Sequence, residues 1–166
     1  MVKTGIFYGS NTGTTESVAN KIAECLGVES TDVHNVAETA PSIVGEYGLL
    51  ILGASTWGDG ELQDDMADFV TGLSAMSLKD KKIALFGCGD ESMEDTFCDA
   101  IGDMYDRLQQ TGGIFIGKFN TDGLKFNHSK AVKDGMAVGL LTDEVNASEL
   151  SEKRVKEWCD AIRQES

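Results

Sequence analysis

Gly5-Ile6-Phe7-Tyr8-Gly9-Ser10-Asn11-Thr12-Gly13-Thr14-Thr15-Glu16 is an apolar strand that breaks at a glycine and enters a hydroxyl-rich turn at the head of a helix. Val18, Ala19, Ile22, Ala23 and Leu26 follow at helical spacing, so the turn lies at a positive helix N-terminus with unpaired N–H groups. A phosphate placed there accepts hydrogen bonds from backbone and hydroxyls together. A nucleoside-triphosphate loop needs four residues between its glycines and then Lys-Ser or Lys-Thr. Here three residues separate Gly9 from Gly13 and no lysine follows, which excludes the usual ATP and GTP cradle. The plainer alternative is that Thr12, Thr14 and Thr15 only cap the helix, although one or two hydroxyls would suffice for that.

Outward from this turn, strand and helix patterns alternate. Strands are expected near Lys3–Tyr8, Thr31–His34, Leu49–Gly53, Lys82–Gly87 and Ile114–Phe119. Helices are expected over Thr14–Leu26, briefly after Pro41, and over about Asp64–Gly72, Phe97–Gln110 and Ser151–Gln164. In the last helix Ser151 reads as the N-cap, with Leu150 and Val155 spaced as a hydrophobic staple. Alternating β and α units imply a doubly wound α/β fold, a parallel sheet with helices on both faces. The near-continuous apolar runs Leu49–Leu52 and Ile83–Phe86 suit strands buried from both sides. A polar, glycine-bearing segment from Asn120 to Ala137 reads as an insertion in or beside the fifth strand, before Val138–Leu141 resumes a strand-like run; we read the insertion as partner-facing.

The length of 166 residues fits one domain spanning 1–166. No apolar run approaches the ~18 residues of a membrane span, and Met1-Val2-Lys3 leads straight into a strand, so a cytoplasmic protein is expected. Cys25, Cys88, Cys98 and Cys159 form no Cys-x-x-Cys pair, and no metal site is expected. A net charge of −14 argues against nucleic acid and anionic membrane and points to basic protein partners. The carboxylates gather in two groups without Lys or Arg, one of Asp59, Glu61, Asp64, Asp65 and Asp68, the other of Asp90, Glu91, Glu94, Asp95 and Asp99.

In open parallel sheets the ligand lies outside the carboxyl ends of the strands. The candidate loops are Ser10–Thr15, Ala54–Leu62 and Cys88–Asp95. The second places Trp57 beside Gly58 and Gly60, an aromatic ring at a site suited to stacking on something flat. The third, Gly87-Cys88-Gly89-Asp90, lacks the last glycine of a dinucleotide fingerprint.

Ser10-Asn11-Thr12-Gly13-Thr14-Thr15, Ser55-Thr56-Trp57-Gly58-Asp59 and Gly87-Cys88-Gly89-Asp90, in this order and at these separations, resemble the three flavin-binding loops of flavodoxins. The likeness spans the chain, and Asn120–Ala137 resembles the insertion of the long-chain subgroup. Flavodoxins are among the examples behind the placement rule just used, so that agreement is not independent. The resemblance implies a five-stranded sheet in the order 2-1-3-4-5 and a monomeric, low-potential, one-electron carrier. Such a carrier binds FMN non-covalently, cycles between neutral semiquinone and anionic hydroquinone, and exchanges electrons with basic-surfaced reductases and acceptors in transient complexes.

By the same resemblance Ser10, Asn11, Thr12, Gly13, Thr14 and Thr15 wrap the 5′-phosphate, and Ser55 and Thr56 approach the phosphate and ribityl chain. Trp57 stacks on the inner flavin face, and Gly58 and Asp59 face N5. Gly89, Asp90, Thr96, Phe97 and Cys98 border the pyrimidine edge. Met93 stands where the family usually has a tyrosine on the outer face. Three rivals fit less well, one of them a non-redox anion-binding module, which requires that the protein carry no flavin. A flavin-dependent quinone reductase would need a substrate pocket and usually a nicotinamide site, and a phosphorylated receiver domain would need an aspartate where Leu49–Leu52 runs into Gly53-Ala54-Ser55.

Overall fold

The computed structural model describes residues 3–9, 13–57, 61–89, 98–121, 129–143 and 148–166, with the backbone alone at Thr56, Trp57, Glu61 and Ser148. β1 (Thr4–Gly9) runs parallel between β2 (Val33–Asn35) and β3 (Leu49–Trp57). The short β4 (Glu61–Leu62) folds back antiparallel on the end of β3, whose other edge carries β5 (Lys82–Cys88) in parallel. The fifth place in the sheet is filled in two pieces. β6 (Ile114–Ile116) pairs with Lys82–Ala84, and β9 (Leu140–Thr142) pairs with Phe86–Cys88, both parallel to β5. With β4 set aside, the order is the expected 2-1-3-4-5, and the insertion interrupts the fifth strand itself.

The two-residue period of the strands sorts their apolar side chains onto two faces. Phe7, Leu50, Leu52, Ile83 and Leu85 pack with Met66, Phe69 and Leu73 of α2 (Asp64–Ser74) and Ile101 and Met104 of α3 (Asp99–Arg107). Ile6, Leu49, Ile51, Ala84 and Phe86 pack on the other side with Val18 and Ile22 of α1 (Thr14–Leu26) and Trp158 and Ile162 of α4 (Ser148–Glu165). Helix α1 has the predicted bounds, since Gly27 ends it in the left-handed conformation at φ 71° and donates to the Ala23 carbonyl.

Several boundaries differ from expectation. α4 begins at Ser148, so Ser151 is a buried residue of its second turn and not the cap. Leu150 and Val155, five apart within a helix, do not share a face and form no staple. α3 is shorter than expected and closes through a tight turn at Gln109–Thr111. β6 stops at Ile116 because Gly117 turns left-handed at φ 81° over the Trp158 indole, which donates to the Gly117 carbonyl at 2.8 Å. β2 starts at Val33, after a tight turn over Ser30–Asp32.

The insertion is fastened where it leaves and rejoins the sheet. Phe119 and Ala137 exchange backbone hydrogen bonds at 3.0 and 2.9 Å, and β7 (Val132–Lys133) turns into β8 (Met136–Ala137) through Asp134 and Gly135, both at positive φ. Buried Arg154 of α4 donates to the Asn120 carbonyl at 2.6 Å and to the Leu141 carbonyl at 3.2 Å, with Phe119 5.0 Å from its guanidinium. Buried Asp99 of α3 accepts from the Lys130 amide at 2.7 Å. Asp99 is therefore an anchor for the insertion, not part of an acidic rim.

Candidate functional site

The register of the central strands brings the three predicted loops to one edge. Gly9 of β1 lies opposite Ala54 of β3, Ala54 opposite Gly87 of β5, and Ser55 opposite Cys88. At about 4.8 Å between neighbouring strands, the three strand ends span roughly 10 Å. The chain crosses from β1 to β2 on one side and returns to β3 on the other, which places a topological switch point at this edge.

At the β1 end, Gly13 is the N-cap of α1, at φ 87°. A β-carbon on Gly13 would meet open space. The Thr15 hydroxyl, in a residue 1% exposed, has no hydrogen-bond partner among the described residues. A buried hydroxyl without a partner is costly, and this one lies in the first turn of α1, at the positive end of the helix dipole. The Thr15 hydroxyl thus makes no capping bond among the described residues, and its place at the positive helix end suits an anion held by hydroxyl and dipole. Tyr8 donates to the Glu16 carboxylate at 3.3 Å, and burial together with that carboxylate raises the Tyr8 pKa above its ordinary value. Ser10, Asn11 and Thr12 lie outside the described residues.

At the β3 end the expected loop Ala54–Leu62 is mostly strand. Thr56 pairs with Leu62 and Trp57 with Glu61, so the backbone at Trp57 is held by antiparallel pairing with β4. Gly53-Ala54-Ser55 stays extended because β5 runs alongside as far as Cys88. Ser55 is half-buried at the edge, and Gly58 and Asp59 lie outside the described residues. Gln63, absent from the predicted set, sits beneath this region. Its side chain accepts from the Met66 amide at 2.9 Å as the N-cap of α2, and a β-carbon on Gly9 would come 2.3 Å from its Oε1.

At the β5 end the Gly89 amide donates to the Thr142 carbonyl at 2.9 Å. The Thr142 hydroxyl donates to the Gly87 carbonyl at 3.1 Å and approaches Cys88 Sγ at 3.5 Å. Cys98 is the N-cap of α3 in the left-handed conformation, φ 53°, and is fully buried, which pushes its thiol pKa well up. One threonine therefore fastens the end of β5 through Gly87, Cys88 and Gly89. Asp90, Met93, Thr96 and Phe97 lie outside the described residues. The only local sign of Thr142 was its place after Val138–Leu141, and Gln63 had none beyond following the Trp57 loop.

Of the first acidic group, Asp64 and Asp68 are exposed and Asp65 is half-buried, all on α2 next to the β3 hairpin. Among the described residues no His, Cys, Asp and Glu cluster is placed to hold a metal ion, and no helix is long and apolar enough to cross a membrane.

The flavodoxin family model matches residues 6–158. A flavodoxin of Haemophilus influenzae is 40% identical over 99% of this chain and 96% of its own length. Flavodoxin 1 of Escherichia coli is 40% identical over 99% of this chain and 95% of its own. Among solved structures, Fusobacterium nucleatum flavodoxin bound to flavin mononucleotide superposes with a TM-score of 0.92 at 28% identity, covering 99% of each chain.

Proposed function

The chain belongs to the flavodoxin family, and from that premise we propose that residues 1–166 act as one FMN-binding domain, a monomeric cytoplasmic carrier of single electrons between redox proteins. It is an electron-transfer protein and not an enzyme. The observation that carries the assignment of the ligand is the buried Thr15 hydroxyl in the first turn of α1, without a hydrogen-bond partner among the described residues, beside a glycine whose Cβ position is open.

FMN, when bound, supplies one-electron chemistry between neutral semiquinone and anionic hydroquinone. The protein binds and tunes it. The turn Ser10–Thr15 grips the phosphate, with Ser55 and Thr56 next to the ribityl chain, and the hairpin holds Trp57 against the ring. Gly58 and Asp59 adjust the backbone at N5, where glycine permits a peptide flip at little steric cost. Gly89, Asp90, Thr96, Phe97 and Cys98 line the pyrimidine edge, and Met93 covers the outer face. Each carboxylate about 10 Å from the reduced ring repels its charge by roughly 0.4 kcal/mol in water-like dielectric before screening. Asp64, Asp65 and Asp68 thus add modestly to a low potential and steer basic partners into short-lived complexes.

Titration of the flavin-free protein with FMN and with riboflavin, followed by stepwise reduction, tests this reading. Tight FMN binding, much weaker riboflavin binding and a blue neutral radical during reduction are expected. A protein that ignores flavin, or binds both flavins equally, overturns it.

A further inference from the structure

Cys25, in the last turn of α1, packs against the buried cluster that holds Cys159 of α4, on the face where Val155, Cys159 and Arg163 follow one another at helical spacing. We propose that Cys25 and Cys159 form a reversible thiol–disulfide site, oxidised by a peroxide and restored by a dithiol, at the end of α1 away from the Thr15 turn. Both are free thiols. Cys25 lines a cavity with Val155 and takes a bond from Arg163, the residues four before and four after Cys159, so the two side chains face each other across the helix contact and rotation about their Cβ carbons would bring the sulfurs together. The helices are also tied beside the pair, since Arg163, one turn beyond Cys159, donates to the Cys25 carbonyl.

The two cysteines differ in access, which gives each a part. Cys159 is 0% exposed, and its thiol is pushed up to about 12 by burial and then by its neighbour Cys25. Cys25 is half-buried and lines a cavity of about 290 Å³ with Lys21, Glu24, Glu152, Val155 and Lys156. A small peroxide reaches Cys25 first. Its thiolate attacks one peroxide oxygen, the O–O bond breaks, and Cys25 becomes a sulfenic acid as hydroxide leaves and takes up a proton. Cys159 then loses its proton, attacks the Cys25 sulfur and expels a second hydroxide, which also becomes water. Two thiols and one peroxide yield one disulfide and two waters. A dithiol reverses the oxidation by exchange, itself becoming a disulfide. Cys88 and Cys98 are both buried, at 4% and 0% exposure, and Cys88 is contacted by the Thr142 hydroxyl.

The test treats the reduced, flavin-loaded protein with hydrogen peroxide, alkylates the remaining thiols and maps the peptides by mass spectrometry. A Cys25–Cys159 cross-linked peptide, lost on adding dithiothreitol and accompanied by an upward shift in Tm, is expected. In Cys159→Ser, Cys25 should instead be trapped as sulfenic acid by dimedone. Full alkylation of both cysteines after peroxide, a cross-link between Cys88 and Cys98 in its place, or no dimedone adduct in Cys159→Ser overturns the proposal. Cys25→Ser must abolish the cross-link and the Tm shift while leaving FMN absorbance unchanged, and a Tm shift that survives it also counts against the assignment.

Discussion

Gly89 and Thr142 are joined by a 2.9 Å hydrogen bond from the Gly89 amide to the Thr142 carbonyl, across the boundary between β5 and the resumed fifth strand. The second half of that strand, which reappears only after the insertion, thus supports the base of the loop proposed to face the flavin. Thr142→Val keeps this backbone bond and removes the hydroxyl bonds to Gly87 and Cys88. A loss of about 1 kcal/mol of stability is expected in urea unfolding. FMN affinity should weaken about 5-fold, the equivalent of that loss at the ligand. Unchanged affinity would show that the loop base is held without the hydroxyl.

Gly139 marks where the chain rejoins the sheet. A β-carbon there would come 2.1 Å from the Leu85 carbonyl oxygen, a backbone atom that cannot swing away. Gly139→Ala should therefore cost about 2–4 kcal/mol. Gly45, whose β-carbon would meet nothing, is the matched control, and Gly45→Ala should stay within about 0.5 kcal/mol of the parent. Equal effects at the two positions would refute the steric account.

These contacts also show what could be read from the sequence. The strands and α1 were legible because apolar alternation, the Thr14–Glu16 head and Gly27 are local signals that tertiary packing reinforces. The continuation of β3 to Trp57 was not, because Gly53-Ala54-Ser55 carries turn-like residues and is kept extended by neighbours distant in sequence. Ser151 misled because a serine before an apolar helical face resembles a cap, whereas Ser148 and Glu149 already suit a first turn. The site's edge was legible as three loops in order. Gln63 and Thr142 were not, since each acts through a partner brought near only by folding.

Met93 lies outside the described residues, and its expected role rests on the resemblance to flavodoxins. A thioether covers a ring by dispersion but lacks the electron-rich face that opposes added negative charge. Met93→Tyr should make the semiquinone/hydroquinone potential more negative in potentiometry. An unchanged or raised potential would remove Met93 from the outer flavin face.

Tyr47 gives a pH dependence remote from the site. Its hydroxyl donates to Asp32 at 2.9 Å and meets His34 Nε2 at 2.8 Å, and burial together with Asp32 pushes its pKa up to about 12. The unfolded chain releases this proton near pH 10 and the folded chain only near 12, so the folded state binds more protons in between. The Tyr47 contribution is complete below pH 10 and is lost as pH rises toward 12. The stability difference between the parent and Tyr47→Phe should shrink by about 1 kcal/mol from pH 8 to pH 11. A difference that stays constant would mean that Tyr47 titrates alike in both states.

Thr15→Val separates the needs of the flavin-free fold from those of the ligand. Valine matches threonine in shape and removes a buried hydroxyl that has no partner among the described residues. The flavin-free variant should keep its stability or gain up to about 1 kcal/mol, because a desolvated polar group is replaced by an apolar one. FMN affinity should fall at least about 10-fold, since a hydrogen bond to a charged phosphate is worth roughly 1.5–3 kcal/mol. Riboflavin, which lacks the phosphate, should bind parent and variant alike. A destabilised flavin-free variant with normal FMN affinity would mean that the hydroxyl serves the fold, and the phosphate would then have to be held by the rest of the turn.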